Sequence, residues 1–545
     1  MPEKTIRRRQ FIQSMCAGLS ATALDWSAFP KGLSQQGSDG PFDAVVVGAG
    51  LAGLSCAAGF VRQGFKPLVL EHHSKPGGYA TTFRRKDFVF DVSLHSTVAG
   101  ERNGVHNLIP GFPEISQVEF VPHADLYRAI FPEHDIRVPQ KDIDRYLELL
   151  VKSFPEEQAG IKGILDDMRG LGADIGKFQA AGGRPDMSRF AQDYPSLFRS
   201  FNKTWGQMVD GRLKDSKLKA IVSSLWIYYG LPPSRLSPFY YALPTYGYLR
   251  SGGWYPRGKS QAISDALASF IRERGGQIRL NTGVAEILVN DHAAYGVRTA
   301  SGEEIRARVV VSNANPHDTF RKMMSEGDFL VEHFKKLDSY SVSLSSFQVF
   351  LGLKKDLVNR SGLKDTEIFY YPGYDFDASY EAMQKADIEQ GGFALTLYDN
   401  LYRGYSAAGK NTMNLLTLQG YGPWEEYEAD YLKGKKQAYR ARKKAMADRL
   451  IDEAEKHVLP GLRDAIDVIE IGTPLTNVRY TRNYRGAIYG WDQTLSNTGQ
   501  SRVGHKTPIK NLYLAGAWST PGHGYGAVIP SGLSCFGEIM KEWES

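Results

Sequence analysis

The pattern of apolar and polar positions predicts a strand, a helix and a second strand over residues 42–71. Ala44–Val47 form a continuous apolar run, mostly β-branched, which is typical of a strand buried in a parallel sheet. A helix is indicated by apolar residues that recur at helical spacing, at Leu54, Ala57, Ala58 and Val61. The second strand, Pro67–Leu70, ends just before Glu71. Together these elements predict a βαβ beginning close to the N-terminus.

The same reading predicts further elements along the chain. An amphipathic helix covers "DIDRYLELLVKSF", and another carries the apolar residues Ile263, Leu267 and Ile271. Strands are expected at 277–281 and Val284–Val289, and a last buried strand, Leu512–Ala515, precedes a glycine-rich loop and a terminal helix. In "SVSLSSFQVFLGL" and "NTMNLLTLQGYG" polar and apolar residues alternate, which predicts strands with one buried face.

Composition limits the classes of function that the chain can serve. Its 545 residues suit one large domain or two to three interleaved ones, and 42% hydrophobic with 23% charged residues is ordinary globular composition. A net charge of +6 is small for this length, so we expect no nucleic-acid partner. The sequence has no apolar run long enough for a membrane span. Its three cysteines do not have the spacing of metal ligands, so no bound metal is expected.

The first 41 residues have the composition of a leader and linker. Arg8 and Arg9 precede "QFI" and a short, weakly apolar stretch, which is similar to a bacterial twin-arginine export signal. Arg7 and Gln13 depart from the usual motif, so a disordered basic tail on a cytoplasmic protein is the alternative. The resemblance implies a periplasmic or membrane-associated protein.

The turn after the first strand has the spacing of a dinucleotide-binding motif. It reads Gly48-Ala49-Gly50-Leu51-Ala52-Gly53, with glycines placed for a tight turn, for approach of a pyrophosphate and for close helix–strand packing. The pyrophosphate meets the N-terminus of the helix, where backbone N–H groups are free. Glu71 is placed to accept hydrogen bonds from ribose hydroxyls and to repel a 2′-phosphate, which argues against NADP.

The segments beyond this motif resemble a particular flavoprotein group. Glu71 is followed at fixed spacing by Gly77-Gly78, and then by "KDFVFDVSLH"; later segments carry "TPLTN", an "RGA-YG-D" pattern and "AGAWSTPGHGYGAVIPSG". These motifs resemble the carotenoid isomerase, retinol saturase and phytoene desaturase group of the amine oxidase-like flavoprotein superfamily. The resemblance covers nearly all of the chain after the leader and implies FAD, rather than NAD, as cofactor.

The resemblance also implies a fold class and a division of the chain. The fold is α/β, with a Rossmann-like FAD-binding domain of the glutathione reductase and amine oxidase type and an interleaved α+β substrate domain. Residues 42–100, 245–330 and 470–545 would form the FAD-binding domain, and 101–244 with 331–469 the substrate domain. Further cofactor contacts implied by the resemblance are Val284 at the adenine, and Gly516, Ala517 and Val528 at the flavin. Ala517 stands where many flavoproteins carry an acid.

The chemistry expected on this basis is redox or rearrangement at carbon–carbon double bonds of a long apolar polyene, isoprenoid or retinoid-like molecule. The segment 223–256 is dense in aromatic residues and suits the wall of an apolar tunnel. Because a flavin exchanges hydride itself, the protein has to supply orientation and a proton. His523, Tyr525 and His95 are the candidate proton donors.

Several alternatives stay open at the level of sequence. Saturation, desaturation and cis–trans isomerisation are not distinguished, and neither is the electron donor or acceptor. A flavin amine or amino-acid oxidase is the nearest rival, and a flavin-free prenyl-binding protein resembling Rab escort and GDP-dissociation-inhibitor proteins is a rival of another class. The basic stretch 433–444 predicts a solvated helical face, with peripheral contact to anionic lipid as the second interpretation.

Overall fold

The computed structural model describes residues 26, 29, 42–98, 112, 115, 117–181, 185–186, 188–324, 330–498 and 501–544. The predicted leader therefore lies outside the described residues, apart from Trp26 and Phe29. The strands of the described residues are β1 (Phe42–Val47), β2 (Pro67–Leu70), β3 (Thr82–Arg85), β4 (Phe88–Asp91), β5 (Phe120–Pro122), β6 (Tyr127–Ile130), β7 (Asp135–Val138), β8 (Trp254–Pro256), β9 (Gln277–Arg279), β10 (Val284–Asn290), β11 (Ala293–Thr299), β12 (Glu304–Ser312), β13 (Ser345–Leu353), β14 (Glu367–Tyr370), β15 (Phe393–Thr396), β16 (Asn411–Gln419), β17 (Ile466–Gly472) and β18 (Leu512–Leu514).

The helices differ widely in length. Those of eight residues or more are α1 (Leu51–Arg62), α2 (Ile143–Ser153), α3 (Gln158–Ala180), α4 (Pro238–Ser251), α5 (Lys259–Glu273), α6 (Val331–Asp338), α7 (Phe376–Gln384), α8 (Gln437–His457), α9 (Pro474–Thr481) and α10 (Tyr525–Glu544). Shorter ones cover Phe190–Asp193, Pro195–Ser200, Trp205–Asp210, Ser216–Val222, Pro316–Arg321, Leu357–Arg360, Ile388–Gly391, Gly422–Glu425, Glu428–Leu432 and Leu462–Ala465.

The first sheet is built around the βαβ predicted from the sequence. β1 pairs in parallel with β2 and β12, β2 pairs in parallel with β9, and β12 pairs in parallel with β18. The hairpin of β10 and β11 joins the sheet through antiparallel pairing of β11 with residues 304–306, the first part of β12. β1 and β2 are buried on both faces where they pair, as their continuous apolar sequence requires. The sheet thus joins segments from the start, the middle and the end of the chain.

The second sheet has the order β17-β13-β16-β15-β14-β6-β7. Every neighbouring pair is antiparallel except β14 with β6. The prediction that β13 and β16 have only one buried face is wrong, because every residue of both strands is buried. Apolar side chains of one face pack with α8 in one hydrophobic cluster, and polar side chains of the other face lie in the interior and bond to each other, as Asn414 Nδ2 does to Gln348 Oε1 at 3.1 Å.

Two of the predicted domain boundaries fall inside elements rather than between them. Residue 245 lies in the middle of α4, and residue 470 lies within β17, which pairs with β13 in the second sheet. The terminal strand is one residue shorter than predicted, since β18 ends at Leu514. The helix predicted to start within the basic stretch 433–444 begins at Gln437. The strand predicted at 277–281 ends at Arg279, and the one predicted in "SVSLSSFQVFLGL" begins at Ser345. The other predicted elements occur within a few residues of their predicted positions.

Candidate flavin and substrate site

A single cavity of about 1080 Å³ connects the first sheet with the second. One end is lined by the glycine turn after β1, Glu71 and Val284. Its middle is lined by the glycine loop after β18 and the first turn of α10, and its other end by side chains of the second sheet and α4. The volume lies at the upper end of what ligand sites usually have, roughly 300–1,000 Å³, so the cavity suits a large ligand or two adjacent ones.

The glycine turn after β1 leaves no room for side chains. A Cβ at Gly53 would lie 2.2 Å from the Gly48 carbonyl oxygen, and one at Gly50 would lie 2.6 Å from Asn313 Oδ1. Gly48, Gly50, Leu51 and Ala52 line the cavity, whereas Ala49 and Gly53 lie behind them. Because the first N–H groups of α1 have no acceptor within the helix, the turn presents backbone donors to an anion.

The second glycine pair lies against this turn. The Gly77 N–H donates to the Ala49 carbonyl at 2.8 Å, and Gly50 and Gly77 form a parallel bridge. Gly77 and Gly78 both line the cavity, and both have positive φ angles, 124° and 60°. The structure therefore brings together the two glycine motifs that the sequence separates by more than 20 positions.

Glu71 is ionised at the edge of the cavity. Its Oε2 accepts from the Ala49 N–H at 2.8 Å, and its Oε1 accepts from the His73 N–H at 2.8 Å and lies 2.8 Å from His72 Nδ1. Burial raises the pKa of Glu71, but these hydrogen bonds outweigh burial and hold the pKa below its ordinary value. Since a carboxylate offers about four lone-pair sites, one acceptor position remains for a ligand hydroxyl.

Asn313 joins the two halves of the cavity and was not singled out from the sequence. Its Oδ1 accepts from the Gly53 N–H at 3.2 Å, and its Nδ2 donates to the Ala515 carbonyl at 2.8 Å. Asn313 directly follows β12 at its carboxyl end, the edge at which parallel sheets bind ligands. Its position after a buried strand was the available signal, but the two loops that it connects are apparent only in the fold.

The loop after β18 and the start of α10 form the middle of the cavity. Gly516, Ala517, Trp518 and Val528 all line it, together with the first residues of α10. A Cβ at Gly516 would lie 2.5 Å from Asn313 Nδ2, so the backbone of this loop is held closely against the glycine turn. The N-terminus of α10 directs the positive end of its helix dipole toward the cavity, where negative charge is favoured.

The three candidate proton donors all line the cavity but differ in their surroundings. His523 lies with Nδ1 2.8 Å from Gln493 Nε2 and Nε2 3.2 Å from the Tyr228 carbonyl, so protein groups occupy both ring nitrogens. Burial lowers the pKa of His523 to about 3 and that of His95 to about 4. Burial raises the pKa of Tyr525 well above its usual value. Both histidines are therefore neutral at physiological pH.

His95 belongs to a polar group that the sequence did not reveal. Its Nδ1 lies 2.6 Å from Thr396 Oγ1, which donates to Glu367 Oε2 at 2.8 Å. Glu367 also lines the cavity and is only 1% exposed. A single acid at the start of an apolar run, "EIFYY", carried no signal in the sequence.

The far end of the cavity is a mainly apolar chamber. The two basic side chains among the described lining residues, Lys322 and Arg482, belong to segments next to β10 and His73, at the Glu71 end of the cavity. The side chains of the far end are mostly aromatic or aliphatic. They include Tyr228, Phe239, Leu243, Tyr248, Phe369, Ala394, Leu416, Ile488 and Tyr489. Four of these nine lie in the predicted aromatic segment 223–256, which includes α4, and two lie in the "RGAIYG" motif. Arg84 and Arg85 are exposed on β3 and lie outside the cavity lining.

Two features are absent from the described part of the chain. No cluster of His, Cys, Asp and Glu there has the arrangement of a metal site. Within the same residues, no helix is long and apolar enough to cross a membrane. Cys56 and Cys535 are buried free thiols.

Comparisons with known proteins agree with this geometry. The all-trans-retinol 13,14-reductase of Danio rerio is 27% identical over 531 residues, covering 92% of this chain and 86% of that protein. The chloroplastic prolycopene isomerase 1 of an Oncidium hybrid cultivar is 25% identical over 513 residues, covering 92% of this chain and 84% of that protein. Both names belong to the group that the motifs resembled.

A solved structure and a family model extend the likeness to the fold. An oxidoreductase from Methanosarcina mazei superposes with a TM-score of 0.58 at 16% identity, covering 91% of this chain and 99% of that one, which is a likeness of fold alone. The model of the flavin containing amine oxidoreductases matches residues 51–535. The predicted fold class, the enzymatic character and a flavin cofactor are thereby confirmed, and the chain belongs to the flavin containing amine oxidoreductase family.

Proposed function

We propose that this protein is an FAD-dependent oxidoreductase acting on carbon–carbon double bonds of a long apolar polyene or retinoid-like substrate. The observation that carries the proposal is the continuity of one cavity from a glycine cradle to a chamber without cationic side chains. The loop after β18 and the first turn of α10, which line the middle of the cavity, would hold a flavin ring next to the apolar chamber. The names of the two relatives, a retinol reductase and a prolycopene isomerase, support the same substrate class.

FAD is proposed over a mononucleotide because the site continues past the pyrophosphate cradle. Glu71, with its free acceptor position, suits a ribose hydroxyl, and Val284 at the start of β10 lines the same end of the cavity. When bound, the flavin supplies hydride and electron transfer. The chain would hold the pyrophosphate on the turn after β1, hold the ring against the loop after β18, and exclude water with the aromatic chamber.

The direction of the reaction is the next question for experiment. Saturation, desaturation and redox-neutral isomerisation need the same cavity, and they differ in the mass of the product. A product two hydrogens heavier than the substrate identifies a saturase, two hydrogens lighter a desaturase, and an unchanged mass an isomerase. The electron donor or acceptor would be identified by the same assays, run with candidate redox partners.

The test begins with the absorption spectrum of the purified protein and chromatography of the released cofactor. Anaerobic titration with polyenes, in oxidised and in reduced protein, should change the flavin spectrum and yield a product. Rapid bleaching and peroxide release with amines but no response to any polyene would instead indicate an amine oxidase. A colourless protein that binds prenyl chains would indicate the flavin-free alternative.

Two further expectations concern where the protein acts. Leu432 is 72% exposed beside Lys433 and Lys435, a combination suited to peripheral contact with anionic lipid. Sedimentation with vesicles of anionic and neutral lipid tests this contact, since only the anionic ones should retain the protein at low salt.

Export through the twin-arginine route stays a prediction. It would be tested by fractionating a bacterial host that expresses the wild-type protein or the variant with Arg8→Lys and Arg9→Lys.

A further inference from the structure

Glu367 is a carboxyl group buried in the wall of the cavity without a charged partner. It begins β14 and lies directly opposite Thr396 of β15 in the antiparallel register. The residue is 1% exposed, and its Oε1 is buried with no hydrogen-bond partner among the described residues. A buried polar atom without a partner is costly, so its presence at a ligand cavity calls for an explanation.

The surroundings of Glu367 favour its neutral form. The titratable side chains near it are His95 and four tyrosines, at positions 228, 248, 371 and 398, and none of them carries a positive charge at neutral pH. Burial raises the pKa of Glu367 well above its ordinary value, and the hydrogen bond from Thr396 offsets this only in part.

The hydrogen-bond directions then locate the acid proton. The Thr396 hydroxyl has one hydrogen and donates it to Glu367 Oε2 at 2.8 Å. It therefore accepts from His95 Nδ1, 2.6 Å away, which fixes the Nδ1–H tautomer of the neutral imidazole. In this arrangement the proton of a neutral Glu367 resides on Oε1, the oxygen that has no partner among the described residues, whereas the reverse order of donation places it on Oε2, between Glu367 and Thr396.

We propose that Glu367 is the acid that exchanges the substrate proton and that Thr396 and His95 form the relay that reloads it. This inference rests on the proposed function and names the proton donor of that site. His523 is less suited to the role, because Gln493 and the Tyr228 carbonyl already engage its two nitrogens.

The transfer balances in protons. In a saturation the double bond takes up a hydride from a reduced flavin on one carbon and the Oε1 proton on the other. The Thr396 hydroxyl proton then moves to Oε2, the His95 Nδ1 proton moves to Thr396, and His95 Nε2 takes one proton from water. One proton enters at His95 and one leaves at Glu367, so the relay ends with the acid proton on Oε2 and with His95 as the neutral Nε2–H tautomer. A half-turn of the carboxyl group, which exchanges its two oxygens, and proton exchange between His95 and water restore the starting state. In an isomerisation Oε1 gives a proton to the polyene and takes it back.

The first arm of the test needs no turnover. Infrared spectra of the holoenzyme should show the carbonyl band of a protonated carboxylic acid that shifts in D₂O and is absent from Glu367→Gln. Thr396→Val removes one hydrogen bond to this acid and should shift the band. Thr417→Val is the matched control, because Thr417 is a buried threonine of the same sheet that bonds to the Gly392 carbonyl and lies outside the cavity lining. It should leave the band in place.

The second arm measures proton delivery with a polyene that the wild-type protein converts. In D₂O the wild-type product should carry solvent deuterium. Glu367→Gln should lower kcat roughly 10²- to 10⁴-fold, the usual contribution of a general acid, with flavin content and substrate affinity retained. Thr396→Val should lower kcat less and Thr417→Val should not change it.

The outcomes separate this inference from the proposed function. Identical infrared spectra of wild-type protein and Glu367→Gln would overturn the inference, whatever the substrate. It would also be overturned if Glu367→Gln converted the polyene at the wild-type rate. A wild-type protein that shows the acid band but converts no polyene would support the neutral Glu367 and overturn the proposed function.

Discussion

The Ser55 hydroxyl donates a hydrogen bond of 2.9 Å to the Ile529 carbonyl, although the two residues are 474 positions apart in sequence. This bond joins α1, which follows the glycine turn, to α10, which follows the loop at the middle of the cavity. Both helices begin at the cavity and pack side by side away from it. The distance between the two cofactor-facing loops is therefore set by how closely these helices approach.

Substituting Gly532 by alanine should push the two helices apart. A Cβ at this position would lie 2.0 Å from the Ala52 carbonyl oxygen and 2.1 Å from Ser55 Oγ. We expect Gly532→Ala to lower the free energy of unfolding by about 1–3 kcal/mol, the usual cost of overpacking, and to lower flavin content. Chemical denaturation and the flavin-to-protein absorbance ratio measure the two effects.

Gly176→Ala is the matched control for this prediction. Gly176 lies within α3, and a Cβ there would have no neighbour within 4 Å. Its replacement should raise helix propensity, leaving stability unchanged or raised by up to about 1 kcal/mol. Equal stability and flavin content in both variants would contradict the close approach of α1 and α10.

Glu71→Gln tests the acid at the end of the cavity that the glycine turn lines. The substitution replaces the carboxylate, which accepts hydrogen bonds from the Ala49 and His73 N–H groups and is placed to accept one from a ligand hydroxyl, by an uncharged amide. Hydrogen bonds to a charged acceptor contribute about 1.5–3 kcal/mol, so the flavin should bind roughly 10- to 100-fold more weakly. Fluorescence titration of the cofactor-free protein measures this. Glu303→Gln, at an exposed pair with Arg279, should bind like wild type.

The chamber should become too short for long substrates when Gly247 is replaced by leucine. Gly247 lies on α4 at the cavity wall, and a Cβ there would meet only Val98 at ordinary contact distance, 3.6 Å. A leucine side chain would compete with the substrate at a cost of about 1–3 kcal/mol, which is roughly 5- to 150-fold in affinity. Spectral titration with long and short polyenes should show the loss for the long ones alone. Gly176→Leu should show none.

Acid should destabilise the protein in part through His123. This histidine is 2% exposed, and burial lowers its pKa to about 4. In the unfolded chain this histidine binds a proton with a pKa of about 6.5, whereas in the folded protein it stays neutral until the pH approaches 4. The free energy of unfolding therefore decreases as the pH is lowered from about 6.5. From about pH 6.5 to about pH 5, His123 should remove about 1.5 kcal/mol.

His123→Leu should therefore lose less stability over this pH interval than the wild-type protein does. Denaturation midpoints at both pH values give the loss for each protein, and subtracting the loss in His123→Leu from that in the wild-type protein cancels the contribution of titrating groups common to both. His292→Asn, a change at an exposed histidine with positive φ, should follow the wild-type pH dependence. A parallel pH dependence for His123→Leu would contradict a neutral His123 in the folded state.

The sequence predicted the parts of the site that are local in the chain. Ala44–Val47, the glycine turn and Glu71 lie within one βαβ, so their positions relative to each other follow from their spacing along the chain. The terminal helix was likewise predicted, directly after the glycine-rich loop, and forms α10.

Residues that act across segments could not be predicted in this way. Glu367 becomes a buried acid only because the segments around residues 95, 228 and 396 surround it. The alternation in β13 was misread for a related reason. Its polar side chains face the interior and bond to polar groups of other segments, as Ser346 Oγ does to Asn477 Nδ2 and Gln348 Oε1 does to Asn414 Nδ2, so the polar face is buried as well.

Arg502 should prove necessary for the loop that holds the middle of the cavity. It is 2% exposed and donates to the Ser519 carbonyl at 2.9 Å, the Ala517 carbonyl at 2.5 Å and Gln493 Oε1 at 2.8 Å. Arg502→Met leaves three buried acceptors without donors, at about 1–3 kcal/mol each, so the free energy of unfolding should fall by at least about 3 kcal/mol. The flavin should be released before the protein unfolds.

Arg463→Met is the control, since Arg463 belongs to an exposed ion-pair network and its loss should cost at most about 1 kcal/mol. Thermal unfolding followed by flavin release distinguishes the two, and a wild-type flavin content in Arg502→Met would show that the loop is held by other contacts.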